Sequence, residues 1–132
     1  LVEHPEQMPA LESGMYFDAD IPVDVMQKEV GNYIKITGAS FGKDRQMSGE
    51  MTKMGVNKAT GMQRLMDELK IGREDTIAFG DGPNDVEMLQ FAGTGVAMGN
   101  AIPAVKQYAD MVTDKIDEDG LYHAFERLHL LG

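Results

Sequence analysis

Cysteine is absent from all 132 residues. That excludes disulfides and thiolate metal centres, and makes the cytoplasm the expected compartment. No run of about eighteen apolar residues occurs, so no segment reads as a membrane-spanning helix. The opening ten residues, with Glu3, His4, Pro5 and Glu6, contain neither a basic nor an apolar stretch of the signal-peptide kind. An initiator methionine is also missing, which fits a start inside a longer chain. Basic residues are few, 12 against 22 acidic, for a net charge of −10, and they are scattered singly. Such a surface repels nucleic acid backbones, so no nucleic acid partner is expected.

What is present is ordinary for a soluble globular protein: 42% hydrophobic and 26% charged residues. Eleven methionines are many, and read as adaptable core filler. The acidic excess would suit a hard cation such as magnesium wherever carboxylates gather.

The two halves read differently. Residues 1 to 54 are irregular. Met15 to Ala19 reads as a short strand, Val23 to Val30 as a short helix, and Tyr33 to Thr37 as an alternating strand. Gly38 to Gly49 reads as a loop or hairpin with Gly42, Lys43 and Asp44 as turn candidates. From residue 55 onward strands and helices alternate cleanly. Lys58 to Leu69 carries Ala59, Met62, Leu65, Met66 and Leu69 at helical spacing, and Ile71-Gly72 should end that helix. The runs Thr76 to Phe79, Gly95 to Met98 and Met111 to Thr113 are short and apolar, as buried parallel strands are. Helices are expected at Asp85 to Ala92, Ile102 to Tyr108 and Gly120 to Leu131. The alternation argues a parallel, Rossmann-like sheet with flanking helices. Ligands of such sheets bind at the carboxyl ends of the strands.

The loop Gly80-Asp81-Gly82-Pro83-Asn84-Asp85 sits at one such end. Asp81 would leave the strand tip, and Asp85 would return to the same point from the first helical turn. Two carboxylates from one loop, with water and main-chain carbonyls, suit magnesium. Gly82 and Pro83 shape the turn, and Asn84 could cap the following helix.

Here the sequence resembles a known family. The segments V-N-K-A-T-G-M-Q-R-L-M-D-E-L-K-I, D-T-I-A-F-G-D-G-P-N-D-V-E-M-L, G-V-A-M-G-N-A, A-D-M-V-T-D and D-E-D-G-L look like the end of Cof-type phosphatases of the haloacid dehalogenase superfamily, in order and spacing. The likeness covers residues 55 to 131 well and 1 to 54 loosely. It implies a magnesium-dependent phosphatase acting on small phosphate monoesters such as sugar phosphates. It implies that Lys58 binds the phosphoryl group, that Asp81 is a direct magnesium ligand, and that Asn84 contacts phosphate. Asp85 would hold metal-bound water or orient Lys58, and is counted with Asp81 as a metal residue. Asn100, in M-G-N-A, falls near the family's site, but a cap for the next helix is its favoured role. Residues 1–54 would be the end of an α+β cap domain and 55–132 the end of the hydrolase core.

The family's nucleophile motif, of the D-x-D-G-T type, is missing. Phe17-Asp18-Ala19-Asp20 imitates its D-x-D, but Ile21-Pro22 replaces Gly-Thr. Thr37 imitates the family's second motif, at too short a gap for a full β-α-β unit. The chain is therefore expected to be inactive alone. A competing expectation is a truncated, catalytically silent domain that binds phosphate, a cation or a partner protein. A half-sheet without its first strand would also expose an edge through which a second copy could associate. A receiver-type domain is disfavoured, because its acidic residues would precede the lysine and here they follow it.

Overall fold

The computed structural model describes residues 13–17, 20–38 and 47–131. The chain divides into two compact units, Leu1–Val56 and Asn57–Gly132.

The first unit is a three-stranded antiparallel sheet with one helix. Strand β1 (Ser13–Phe17) and strand β2 (Ile34–Gly38) both pair with β3 (Ser48–Lys53), which lies between them. Helix α1 (Val23–Val30) runs over the expected residues and packs on β2. The Gln27 side chain fixes it there, donating to the Ile34 carbonyl at 2.9 Å and accepting from the Ile36 amide at 2.7 Å. The sequence S-G-E-M-T-K gives no alternation, and β3 is the returning strand of the hairpin expected after Tyr33 to Thr37. It forms because a partner lies on each side, which is tertiary context overriding local propensity. The turn candidates Gly42, Lys43 and Asp44 lie outside the described residues, as does Asp18. Both strands that precede the imitation motifs are antiparallel to β3. Neither is a strand of a parallel core.

The second unit carries the parallel sheet. Strands β4 (Ile77–Gly80), β5 (Thr94–Ala97) and β6 (Met111–Val112) are parallel in that order. Gly80 pairs with Ala97 and Ala97 with Val112, so the carboxyl ends of all three strands line up. Helix α2 (Lys58–Leu69) starts on a capping box. The Asn57 side chain accepts from the Thr60 amide at 2.9 Å, and the Thr60 hydroxyl pairs with the Asn57 amide at 3.0 Å. It ends at Leu69 as expected, and Lys70 takes the left-handed cap at φ 56°, a place glycine usually fills. Helices α3 (Val86–Phe91), α4 (Pro103–Lys106) and α5 (Gly120–Arg127) are all shorter than their apolar spacing suggested.

The core is small-residue-rich: Ala78, Leu89, Ala92, Ala97, Ala101 and Val105, with Met62 and Met88 packed against it. Leu89 is fully buried, which contributes about 1.5–3 kcal/mol. The methionines divide. Met66 and Met98 are buried, while Met15 and Met54 are exposed. On α2 only Met66 is buried, and Leu65 and Leu69 stay open, so helical spacing overstated that helix's burial. Phe79 of β4 stacks on Phe125 of α5 at 5.2 Å between centroids, which fastens the last helix to the sheet beside the strand tips. No helix among the described residues is long and apolar enough to cross a membrane.

Candidate active site

Strand β4 ends at Gly80, and the chain enters a tight 3-10 turn, Pro83–Asp85, before α3. Proline at the first position of the turn loses no hydrogen bond there. The turn swings the Asp85 carboxylate back across the strand tip. Its Oδ2 accepts from the amides of Asp81, at 3.0 Å, and Gly82, at 2.9 Å. Its Oδ1 accepts from Lys58 Nζ at 2.5 Å. This packing needs a glycine at 80, since a Cβ there would lie 2.5 Å from Asp85 Cβ and 2.8 Å from its Cγ.

Asp85 is thus almost wholly buried, while the Lys58 side chain is 48% exposed. Burial pushes the Asp85 carboxyl up. The hydrogen bond from Lys58, the amides of Gly82 and Asp81 and the charge of Lys58 together outweigh it, and its pKa lies below the ordinary value of 3.8. Asp85 is ionised and its oxygens are already engaged. It orients Lys58 and ties the loop together, and little of it remains for direct contact with a metal.

Asp81 differs. It is exposed, and its Oδ2 accepts from Asn100 Nδ2 at 2.9 Å. Among the described residues no donor reaches its Oδ1. Lys58, Asp81, Asp85 and Asn100 all line one cleft of about 330 Å³ at the carboxyl end of the sheet, walled on the apolar side by Ile116 and Leu121. A larger hollow of about 480 Å³ lies in the first unit. Met51, Tyr33 and Ile34 line it, with Lys53 its one charged group. Chemistry therefore points to the smaller cleft.

Two sequence expectations are corrected here. Asn84 does not cap α3: it lies inside the 3-10 turn, and the side chain that reaches back to the turn's first amide is that of Asp85. Asn100 does not cap α4 either. The cap position is Ile102, without a side-chain bond, and Asn100 instead spans from Asp81 to the Ile116 amide at 3.1 Å. That role was invisible in the sequence, because Asn100 and Asp81 lie on different strand ends.

The donor set suits magnesium in kind. It is all oxygen, with one open carboxylate at a strand tip, and magnesium commonly takes one or two carboxylates with water and substrate phosphate. Among the described residues no three His, Asp or Glu side chains are placed to hold one metal ion together, so these residues would supply only part of a coordination shell.

A lysine and two aspartates thus converge at the carboxyl ends of a parallel sheet. Residues 11–125 match the profile of the haloacid dehalogenase-like hydrolases, and the chain belongs to that family. The phosphatase YwpJ of Bacillus subtilis (strain 168) is 34% identical over 132 residues, covering 85% of this chain and 44% of that protein. The 5-amino-6-(5-phospho-D-ribitylamino)uracil phosphatase YitU of the same organism is 56% identical over 72 residues, covering 54% of this chain and 27% of that protein. Among solved structures, the HAD subclass IIB sugar phosphatase BT4131 superposes with a TM-score of 0.72 at 34% identity, covering 83% of this chain and 42% of that one. The chain thus spans less than half the length of each of these three relatives.

Proposed function

We propose that this chain supplies the phosphate- and magnesium-holding half of a phosphatase site for small phosphate monoesters such as sugar phosphates. The observation that carries the reading is the shared carboxylate of Asp85. It aims the Lys58 ammonium into the same cleft that Asp81 opens onto. Lys58 binds a phosphoryl oxygen and offsets the charge that builds during transfer. Asn84 adds a polar contact to phosphate once substrate is present. Asp81 presents its open carboxylate oxygen to magnesium. Bound magnesium would neutralise phosphoryl charge and orient the group for attack. The attacking aspartate comes from polypeptide outside these 132 residues, on a strand seated along the open side of β4, which has β5 as its one neighbour among the described residues. The same open edge offers an alternative seat for a second copy of the chain. Residues 1–54 serve as the end of the cap that selects substrate.

The expected behaviour of the chain alone is phosphate binding without turnover. Inorganic phosphate, titrated with magnesium present, should bind the parent at least tenfold more tightly than Lys58→Met, since a charge-assisted contact contributes about 1.5–3 kcal/mol. Hydrolysis of a chromogenic phosphate ester should be negligible. Turnover on the order of 1 per second that Asp18→Asn abolishes would contradict the proposal. The absence of the D-x-D-G-T motif also favours a second reading, a silent phosphate- or cation-binding domain. Hydrolysis that appears when the chain is joined to a segment carrying that motif separates the two.

A further inference from the structure

The side-chain amide of Asn100 is held at both of its ends. Its carbonyl oxygen Oδ1 accepts from the Ile116 amide at 3.1 Å, and its Nδ2 donates to Asp81 Oδ2 at 2.9 Å. The preceding residue is fixed as well: the Gly99 amide donates to the Asp114 carbonyl at 3.0 Å, and the Gly99 carbonyl accepts from Lys106 Nζ at 2.6 Å. The approach is close enough that a Cβ at Gly99 would lie 2.6 Å from the Lys115 amide nitrogen. Two segments that follow neighbouring strands, 98–101 after β5 and 113–116 after β6, are therefore locked together, and Asn100 is the side chain that reaches from them to β4.

The amide can be placed only one way round. Ile116 offers an N–H, so an acceptor must face it, and the oxygen lies there. The NH2 group is then left to face a carboxylate, which only accepts. Reversing the amide would set donor against donor at one end and acceptor against acceptor at the other. The donation engages one oxygen of Asp81 and fixes the plane of the carboxylate, leaving Oδ1 to the cleft.

We infer that Asn100 is a positioning residue for the cation. It holds Asp81 in a single orientation, with its own amide held by the main chain at Ile116. The inference rests on the proposed metal role of Asp81. A carboxylate on an exposed strand tip would otherwise sample several rotamers, and ordering it would weaken each binding event. Partners that orient a metal ligand typically change metal affinity by about tenfold or more when removed.

The segment that holds Asn100 allows a test that leaves every polar side chain of the cleft in place. Ile116 is the first residue of a 3-10 turn, and Lys115 before it has φ −70° and ψ 162°. Proline is tolerated at that position and after that backbone conformation. Ile116→Pro therefore removes the one N–H that orients Asn100, while Ile116→Ala changes the side chain and keeps it. Magnesium chloride is titrated into the 15N-labelled chain, and the dissociation constant is read from the Gly82 amide and the Asn100 side-chain amide. Asn100→Ala should weaken magnesium about tenfold. Ile116→Pro should weaken it by a smaller factor, about threefold, because the donor remains but is no longer held. Ile116→Ala should lose less than Ile116→Pro.

Magnesium affinity within twofold of the parent in Asn100→Ala would overturn the inference. Asn100 would then only anchor the 115–119 turn, and its loss would move the amides of Ile116 to Glu118 alone. If Asn100→Ala does not fold, Ile116→Pro decides, and an unchanged affinity there overturns the inference too. An Asp81→Ala chain that binds magnesium like the parent marks a different failure, that of the metal reading itself.

Discussion

Removing the Asp85 carboxylate should unfold the second unit more readily than any other single change in the cleft. The side chain makes three hydrogen bonds, to the amides of Asp81 and Gly82 and to Lys58. In Asp85→Ala the Gly82 amide, which is buried, loses its partner, at a cost of about 2 kcal/mol. The Asp81 amide is part-buried and recovers some hydration, so its loss costs about 1 kcal/mol. The pair with Lys58 adds about 0–1 kcal/mol, because the ammonium is half exposed and water replaces its partner. The expected destabilisation is about 3 kcal/mol. Asp85→Asn keeps one acceptor oxygen and should lose about half of that. Urea unfolding followed by far-UV circular dichroism, with linear extrapolation, gives both values. A destabilisation below about 0.5 kcal/mol for Asp85→Ala, the range of ordinary surface substitutions, would show that the loop is held without its carboxylate. Lys58 and Asp81 would then share one cleft for a reason other than the Asp85 carboxylate.

Two further outcomes follow from the same geometry. The folded-state pKa of Asp85 lies below its ordinary value of 3.8, so its stabilisation is fully present above about pH 4 and is lost as pH falls through the depressed folded-state value. Stability measured in chelator between neutral and acid pH should show that acid limb in the parent and a smaller one in Asp85→Asn. Gly80→Ala places a methyl group 2.5 Å from Asp85 Cβ. It should cost about 1–3 kcal/mol as overpacking does, and lower magnesium affinity by moving the loop; calorimetry on the purified variant reads both.

Much of the second unit was legible in the sequence, because its elements are specified locally. The apolar runs around Ala78, Val96 and Met111 lie between loops of glycine and aspartate, and short buried strands formed there. Lys58–Leu69 formed a helix over the residues its spacing marked. The first unit was less legible: β3 has no alternation of its own and exists only between two partners. Within the site, Asp81 and Asp85 were legible from the loop that follows a buried parallel strand, and Lys58 only from the family resemblance. What could not be read was how the hydrogen bonds are divided. A 3-10 turn in place of a full helical turn gave the capping role to Asp85 and left Asn84 without it. Asn100 acquired its partners from two other segments, Asp81 after β4 and Ile116 after β6, which no local pattern encodes.

The central claim is that Asp81 at the tip of β4 is where this chain meets magnesium, with Lys58 beside it for the phosphoryl group. The most direct measurement is a calorimetric magnesium titration of the parent chain and of Asp81→Ala under identical salt. Asp81 offers the one cleft carboxylate with an open oxygen among the described residues. The expected result is saturable heat in the parent and a loss of at least tenfold in affinity in the variant, as removal of a direct ligand requires. An Asp81→Ala chain that binds magnesium as tightly as the parent would contradict the account, and would place the cation away from this loop.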